Sequence, residues 1–191
     1  MPPVRCRRLV ASAVLIVGIA AGCTRALARD TEKSWEVEPF VLLGRYANAT
    51  DFDTGYGYGV RGGYHLKAIH ELELCLDWAS ADHKERPGVT VDISKYSFDY
   101  ARILLIKGHE KMTPYATFGL GVINIDDGTD SADSTTFRAG GGFKYYFNPH
   151  LGMRFDVKLY RWHGNGHVTT SDPFFSVDAT LGMNFLFGGP K

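Results

Sequence analysis

Several things are scarce or missing in this chain, and each absence narrows what it can be. There are three cysteines in 191 residues. Two of them, Cys6 and Cys23, fall in an N-terminal segment that reads as a removable leader, which leaves Cys75 alone and allows no internal disulfide. No Cys/His spacing suits zinc, and no Gly-x-Ser-x-Gly elbow offers a hydrolase nucleophile. An excess of one charge sign is also missing, with 21 Lys plus Arg against 21 Asp plus Glu, so bulk charge points neither to nucleic acid nor to an acidic partner. Beyond residue 29 no apolar run approaches 18 residues, which excludes membrane-spanning helices there.

What the chain does have is aromatic residues (13%) and 22 glycines, a mixture that suits many short strands better than a helical bundle. It opens with Arg5, Arg7 and Arg8, the apolar run LVASAVLIVGIAA and then Ala26-Leu27-Ala28. Basic start, apolar centre and small-x-small end are the parts of a secretory signal peptide. The apolar run stops short of the roughly 20 residues a spanning helix needs. Cleavage after Ala28 divides the chain into a signal peptide, 1–28, and a single mature domain, 29–191. A lipoprotein signal competes, because Ala20-Ala21-Gly22-Cys23 resembles a lipobox, with Ala20 where a larger aliphatic residue is preferred.

Period-two alternation dominates the mature part. Val177, Ala179, Leu181, Met183, Phe185 and Phe187 alternate with Ser176, Asp178, Thr180, Gly182 and Asn184. Leu72, Leu74, Leu76 and Trp78 alternate with Glu71, Glu73 and Asp77, and Leu151, Met153, Phe155, Val157 and Leu159 with Arg154, Asp156 and Lys158. Further strands read at about 35–46, 56–66, 97–107, 114–125 and 134–147, making eight. Strand four is ambiguous in phase: Tyr96, Phe98 and Tyr100 suggest one face, Ile103 and Leu105 the other, as a bulge would produce. The connections after odd strands read as long and polar (47–55, 80–95, 126–133, 163–173), and those after even strands as short (67–69, 108–112, 148–149). Even strand number with alternating loop length is the pattern of a membrane barrel. Lipid cannot hydrogen-bond a free strand edge, so the sheet must close on itself. The expected fold is therefore all-β, an eight-stranded antiparallel up-and-down transmembrane β-barrel with its apolar face outwards.

The inward face then holds Arg61, His65, Glu71, Glu73, Asp77, Arg138, Lys144, Arg154, Asp156, Lys158 and Asp178. Eight strands leave a lumen just wide enough for side chains to fill, so these opposed charges are expected to pair across it as a plug. Trp35, Tyr46, Trp78, Tyr145, Phe147, Trp162, Phe174 and Phe175 fall near strand ends, where aromatic girdles meet the headgroup layers. Cys75, among apolar and acidic neighbours, reads as a packed side chain with nothing nearby to lower its pKa.

MTPYATFGLGVINI followed by FRAGGGFKYYFNPHLGMRFDVKLY resembles the small outer-membrane barrels of the OmpA-like and opacity-type family. Pro114, Tyr115, Gly119 and Gly121, then Gly140, Gly142 and Tyr146, then Arg154 carry the resemblance. The last strand is similar to the signal read by the barrel insertion machinery, with Thr180, Gly182, Phe185 and Phe187 as polar-x-Gly-x-x-aromatic-x-aromatic. Gly188, Gly189, Pro190 and Lys191 follow where that aromatic is commonly terminal. The family implies a Gram-negative outer-membrane location, contact with outer-membrane lipid and lipopolysaccharide, and a monomer.

Some barrels of this size resemble hydrolases with a His and a Ser two residues apart. Here Tyr160-Arg161-Trp162-His163-Gly164-Asn165 has no nucleophile after its histidine, and Ser171 is too distant, so His163 and His167 read as rim residues. The acidic run 126–133 lacks the spacing of a calcium loop and reads as a solvated hairpin tip. His83, Lys84, Glu85 and Arg86 make a mixed-charge loop facing lipopolysaccharide, another cell or water. Asn48-Ala49-Thr50 fits a glycosylation triplet and is given no role in a bacterial compartment. No catalytic residue, metal ligand or cofactor is assigned. The expectation is a structural or interactional barrel presenting four external loops, with a narrow channel for small apolar molecules as the alternative and a lipid-modifying enzyme as a third class.

Overall fold

A computed structural model describes residues 32–46, 52–83, 90–106, 111–126, 128, 131–163 and 173–188. The leader, both signal-sequence readings, Asn48-Ala49-Thr50, 84–86, His167 and the tail 189–191 lie outside the described residues. Eight strands follow in order: β1 (Ser34–Tyr46), β2 (Phe52–Lys67), β3 (His70–His83), β4 (Thr90–Ile103), β5 (Met112–Asp126), β6 (Ser131–Asn148), β7 (Leu151–His163) and β8 (Pro173–Gly188). Each pairs antiparallel with its chain neighbour, and β1 pairs with β8, from Ser34 opposite Gly188 to Tyr46 opposite Ser176, which closes the barrel. Closure leaves no strand with an unpaired edge.

Alternation sets the two faces. In β1 every second residue from Ser34 to Tyr46 is buried and every other one exposed. The outer surface carries Val41, Leu74, Phe118, Leu120, Phe137, Leu159 and Leu181, all exposed, while ionised side chains are buried inside. A water-soluble barrel would reverse this arrangement, because apolar surface is driven out of water. Outside-apolar and inside-charged is stable where the solvent is lipid.

The strands run 13 to 18 residues, longer than the 9–11 that span a bilayer, and this corrects several sequence-based boundaries. The expected loop 80–95 is mostly strand, since β3 continues to His83 and β4 begins at Thr90. Strand four has one phase and no bulge: its register against both neighbours is unbroken, with Ile93, Lys95, Asp99, Ala101 and Ile103 inward and Tyr96, Phe98 and Arg102 outward. Leu105, which suggested the second phase, lies past the strand end. The β4–β5 connection is wider than expected, 104–111, unlike the two-residue turns after β2 and β6. Register shifts occur instead between Phe52 and Gly55, between His65 and Lys67 and between Tyr146 and Asn148.

Trp35, Trp78, Tyr145, Phe147 and Phe175 do face outwards near strand ends. Tyr46 does not: it has the parity of Ser34 and Glu36 and is buried in the lumen. The side chains of Trp162 and Phe174 are outside the described residues. At the β5–β6 hairpin, Asp126 pairs with Ser131, and Gly128, at φ 83°, donates its N–H to Asp126 Oδ1 at 2.7 Å. One carboxylate of that acidic run is thus engaged by its own turn.

Candidate functional site in the barrel lumen

Most of the ion pairs join strands that are not neighbours, so the network crosses the lumen, while Arg61–Glu38 and Lys95–Asp77 run along the β1–β2 and β3–β4 ladders and Arg154–Asp156 lies within β7. Nearest the end with the two-residue turns, Lys144 Nζ of β6 stands between two carboxylates, 2.8 and 2.9 Å from Glu36 of β1 and 3.0 and 2.7 Å from Glu71 of β3. Asn184 Nδ2 donates to Glu36 Oε1 at 2.9 Å, and His65 Nε2 lies 3.3 Å from Glu36 Oε2 and 3.6 Å from Glu71 Oε1. Glu36, His65 and Glu71 have the donor set of a metal site, but the Lys144 ammonium already sits between the two carboxylates.

Arg154 of β7 forms the centre. Its Nη1 and Nη2 donate to the two oxygens of Glu73 at 2.7 and 3.2 Å, a forked pair, while Nε donates to Asp156 Oδ1 at 2.9 Å and to the Tyr115 hydroxyl at 2.7 Å. The guanidinium also lies over the Tyr115 ring, 4.3 Å from its centroid, where the π face favours a cation. Arg61 joins β2 to β1 and β7, donating to Glu38 Oε2 at 2.9 Å and to Asp156 Oδ2 at 2.7 Å. Thr180 Oγ1 adds a bond to Asp156 Oδ2 at 2.9 Å.

A further layer holds Asp99, which accepts from Lys158 Nζ at 2.9 Å and from the fork of Arg138. Lys95 bonds Asp178 and stands 3.2 Å from Asp77 Oδ1. Both Lys95 and Arg138 pack on the Tyr160 ring. Towards the odd-connection end the lumen changes character: Leu42, Tyr46, Ala79, Ala81, Val91, Ile93, Ile123 and Ile125 are buried in one apolar cluster that reaches through Phe40, Cys75 and Tyr160 into the belt. Cys75 is 2% exposed there, its Sγ 3.8 Å from Asp77 Oδ2.

Arg61, Glu71, Glu73, Asp77, Arg138, Lys144, Arg154, Asp156, Lys158 and Asp178 thus meet in one network, with His65 at its edge. Sequence reasoning missed four members. Glu36 and Glu38 alternate with outward Trp35 and Val37, so parity in strand one was the available signal. Lys95 and Asp99 were hidden by reading 80–95 as a loop and by the uncertain phase of strand four. With them the belt has eight acids against six Lys or Arg among the described residues.

Two glycines make room for it. A Cβ on Gly182 would come within 2.4 Å of Glu38 Oε1, and one on Gly119 within 2.0 Å of Asp99 Oδ1 and 2.3 Å of the Phe98 carbonyl. Of the last-strand residues, Thr180 and Gly182 are buried in the lumen, and Phe185 and Phe187 are exposed on the outer face. The side chain of His163, and all of Ser171, lie outside the described residues.

An eight-stranded closed sheet with a charged interior and an apolar exterior is a transmembrane β-barrel. The chain belongs to the outer membrane protein beta-barrel domain family, whose model matches residues 13–186. Among solved structures it is similar to the N-terminal β-barrel domain of Pseudomonas aeruginosa OprF, at 24% identity and TM-score 0.51 over 82% of this chain and 98% of that one. It is similar to Neisserial surface protein A, at 13% identity and TM-score 0.62 over 82% and 100%. It is similar as well to OprG from Pseudomonas aeruginosa, at 12% identity and TM-score 0.60 over 86% and 100%. At these identities the likeness is one of fold. No curated protein sequence matches the chain.

Proposed function

We propose that the protein is an outer-membrane anchor with a sealed lumen, which presents the segments joining β1–β2, β3–β4, β5–β6 and β7–β8 at the cell surface and performs no chemistry of its own. The observation that carries this reading is the filled interior, in which ion pairs bridge opposite strands and an apolar cluster covers them at one end. A water column needs an open, wettable path; a belt of mutually paired charges under an aliphatic cap offers none. Export by the 1–28 signal and insertion through the last-strand signal at Thr180, Gly182, Phe185 and Phe187 complete the reading, with outer-membrane lipid and lipopolysaccharide as the surroundings of a monomer.

The buried apolar cluster favours one second reading, a narrow path for small apolar molecules, because its lining would accept them where ions are refused. Proteoliposome flux separates the two. A sealed anchor releases neither trapped ions nor an apolar tracer faster than protein-free vesicles do. Selective tracer uptake would transfer the assignment to transport.

A further inference from the structure

The outer face near the even connections carries a feature that the sealed lumen does not use. At the β2–β3 bulge, His65 pairs with Glu71 and Lys67 with His70, so Leu66 is the extra residue. Strict alternation would have turned Lys67 inwards like His65; the bulge leaves both Leu66 and Lys67 exposed on the outside. Across the β3–β4 ladder, His70 is paired in register with Arg102.

Arg102 Nη1 donates to His70 Nε2 at 2.9 Å. His70 Nδ1 lies 2.5 Å from the Tyr100 hydroxyl and 3.5 Å from the same Arg102 nitrogen. The Tyr100 ring is held in turn against Phe118, 5.2 Å between centroids. These contacts position the arginine and leave its other N–H groups available as donors, with the Tyr100 hydroxyl beside them. Among the described residues no carboxylate pairs with Arg102, a positioned cation on the outer wall.

Towards the barrel's waist from Arg102 the outer wall is apolar, with Phe118, Phe98 and Leu120 exposed at 54%, 51% and 61%. The sign of the surroundings is consistent too. Among the described residues, outward charges at this end are Lys33, Lys67, Arg102 and Lys111 against Glu32, whereas the opposite rim carries Asp82, Asp92, Asp126 and Asp133 against Arg45 and Arg161.

We propose that Arg102, Lys67 and the Tyr100 hydroxyl form a binding site for the phosphate of an anionic phospholipid headgroup, with an acyl chain running towards the barrel's waist along Phe118, Phe98 and Leu120. Guanidinium and phosphate make charge-assisted, forked hydrogen bonds, and the apolar wall on the waist side of Arg102 would contact the lipid hydrocarbon. The inference rests on the membrane-anchor reading. Its consequence is a lipid seam on one side of the barrel, at the level of the inner leaflet.

The test is native mass spectrometry of the protein released from nanodiscs of phosphatidylcholine with a minor share of phosphatidylglycerol. Insertion is read first, from the gel mobility difference between unheated and boiled samples. Wild type is expected to retain phosphatidylglycerol well above its share of the bilayer. Arg102→Gln and Lys67→Gln should each weaken that preference about fivefold, and Arg45→Gln on the opposite rim should leave it unchanged. Inserted wild-type protein whose retained lipid mirrors the bilayer would overturn the site while leaving the anchor standing. Equal losses from Arg45→Gln and Arg102→Gln would also overturn it. Failure of the wild type to insert would remove both readings.

Discussion

The two halves of the lumen are built on the same strands with the same alternation, yet they are sealed by different physics. Near the two-residue turns the inward positions are Glu36, Glu71, Glu73, Lys144 and Arg154, joined across the barrel by bonds of 2.7–3.2 Å. Towards the odd connections the same parity brings in Leu42, Val91, Ile93, Ile123 and Ile125, each at most 5% exposed. The belt is specific but costly. Each ion has given up its hydration, and its partners do little more than restore what was lost. The cap is unspecific and favourable, gaining from apolar burial without any partner geometry. Stability therefore rests more on the cap, while the discrete arrangement of the interior rests on the belt.

The difference is largest when a single partner is removed. Arg154→Ala takes the fork from Glu73 and a bond each from Asp156 and Tyr115, leaving buried carboxylates uncompensated. Losing one partner of a buried pair costs about 3–5 kcal/mol, and entry of water into the vacancy should hold the loss near the lower end. Denaturant unfolding in detergent micelles measures it, and an unchanged midpoint would mean that Glu73 and Asp156 do not depend on Arg154 for compensation.

A charge on the other face is the next effect in size. Leu181 is exposed towards lipid, one residue from buried Gly182, and Leu181→Arg near the midplane should cost about 2–4 kcal/mol. Wild-type stability in a bilayer would show that the apolar face does not meet lipid. The smallest expected effect lies in the cap, where Ile123→Val removes one methylene from the buried cluster at a cost of about 0.5–1.5 kcal/mol. That variant should lose stability without gaining conductance, because its neighbours are aliphatic and no charge is freed.

The same contrast explains what could be read from the sequence. Strands with one charged and one greasy face, β3, β7 and β8, were legible because their alternation is strong: Glu71, Glu73 and Asp77 against Leu72, Leu74 and Leu76 leave no doubt about parity. Strand four was not, because its inward Val91, Ile93, Ala101 and Ile103 are as apolar as its outward Tyr96 and Phe98. A segment apolar on both faces carries no period-two contrast, so Lys95 and Asp99 went unassigned. Tyr46 was misplaced for a related reason: an aromatic residue at a strand end satisfies a girdle and a lumen cap equally well until parity is counted from Glu36. The bulge that turns Lys67 outwards has no sequence mark at all, since only the pairing of His65 with Glu71 and of Lys67 with His70 defines it.

Planar-bilayer recording of the unmodified protein beside Arg154→Ala decides whether paired charges under an apolar cap seal the lumen. Near-silent membranes are expected for the unmodified protein and a rise in ionic current for Arg154→Ala. Large, steady currents from the unmodified protein, or equal currents from both, would contradict the seal.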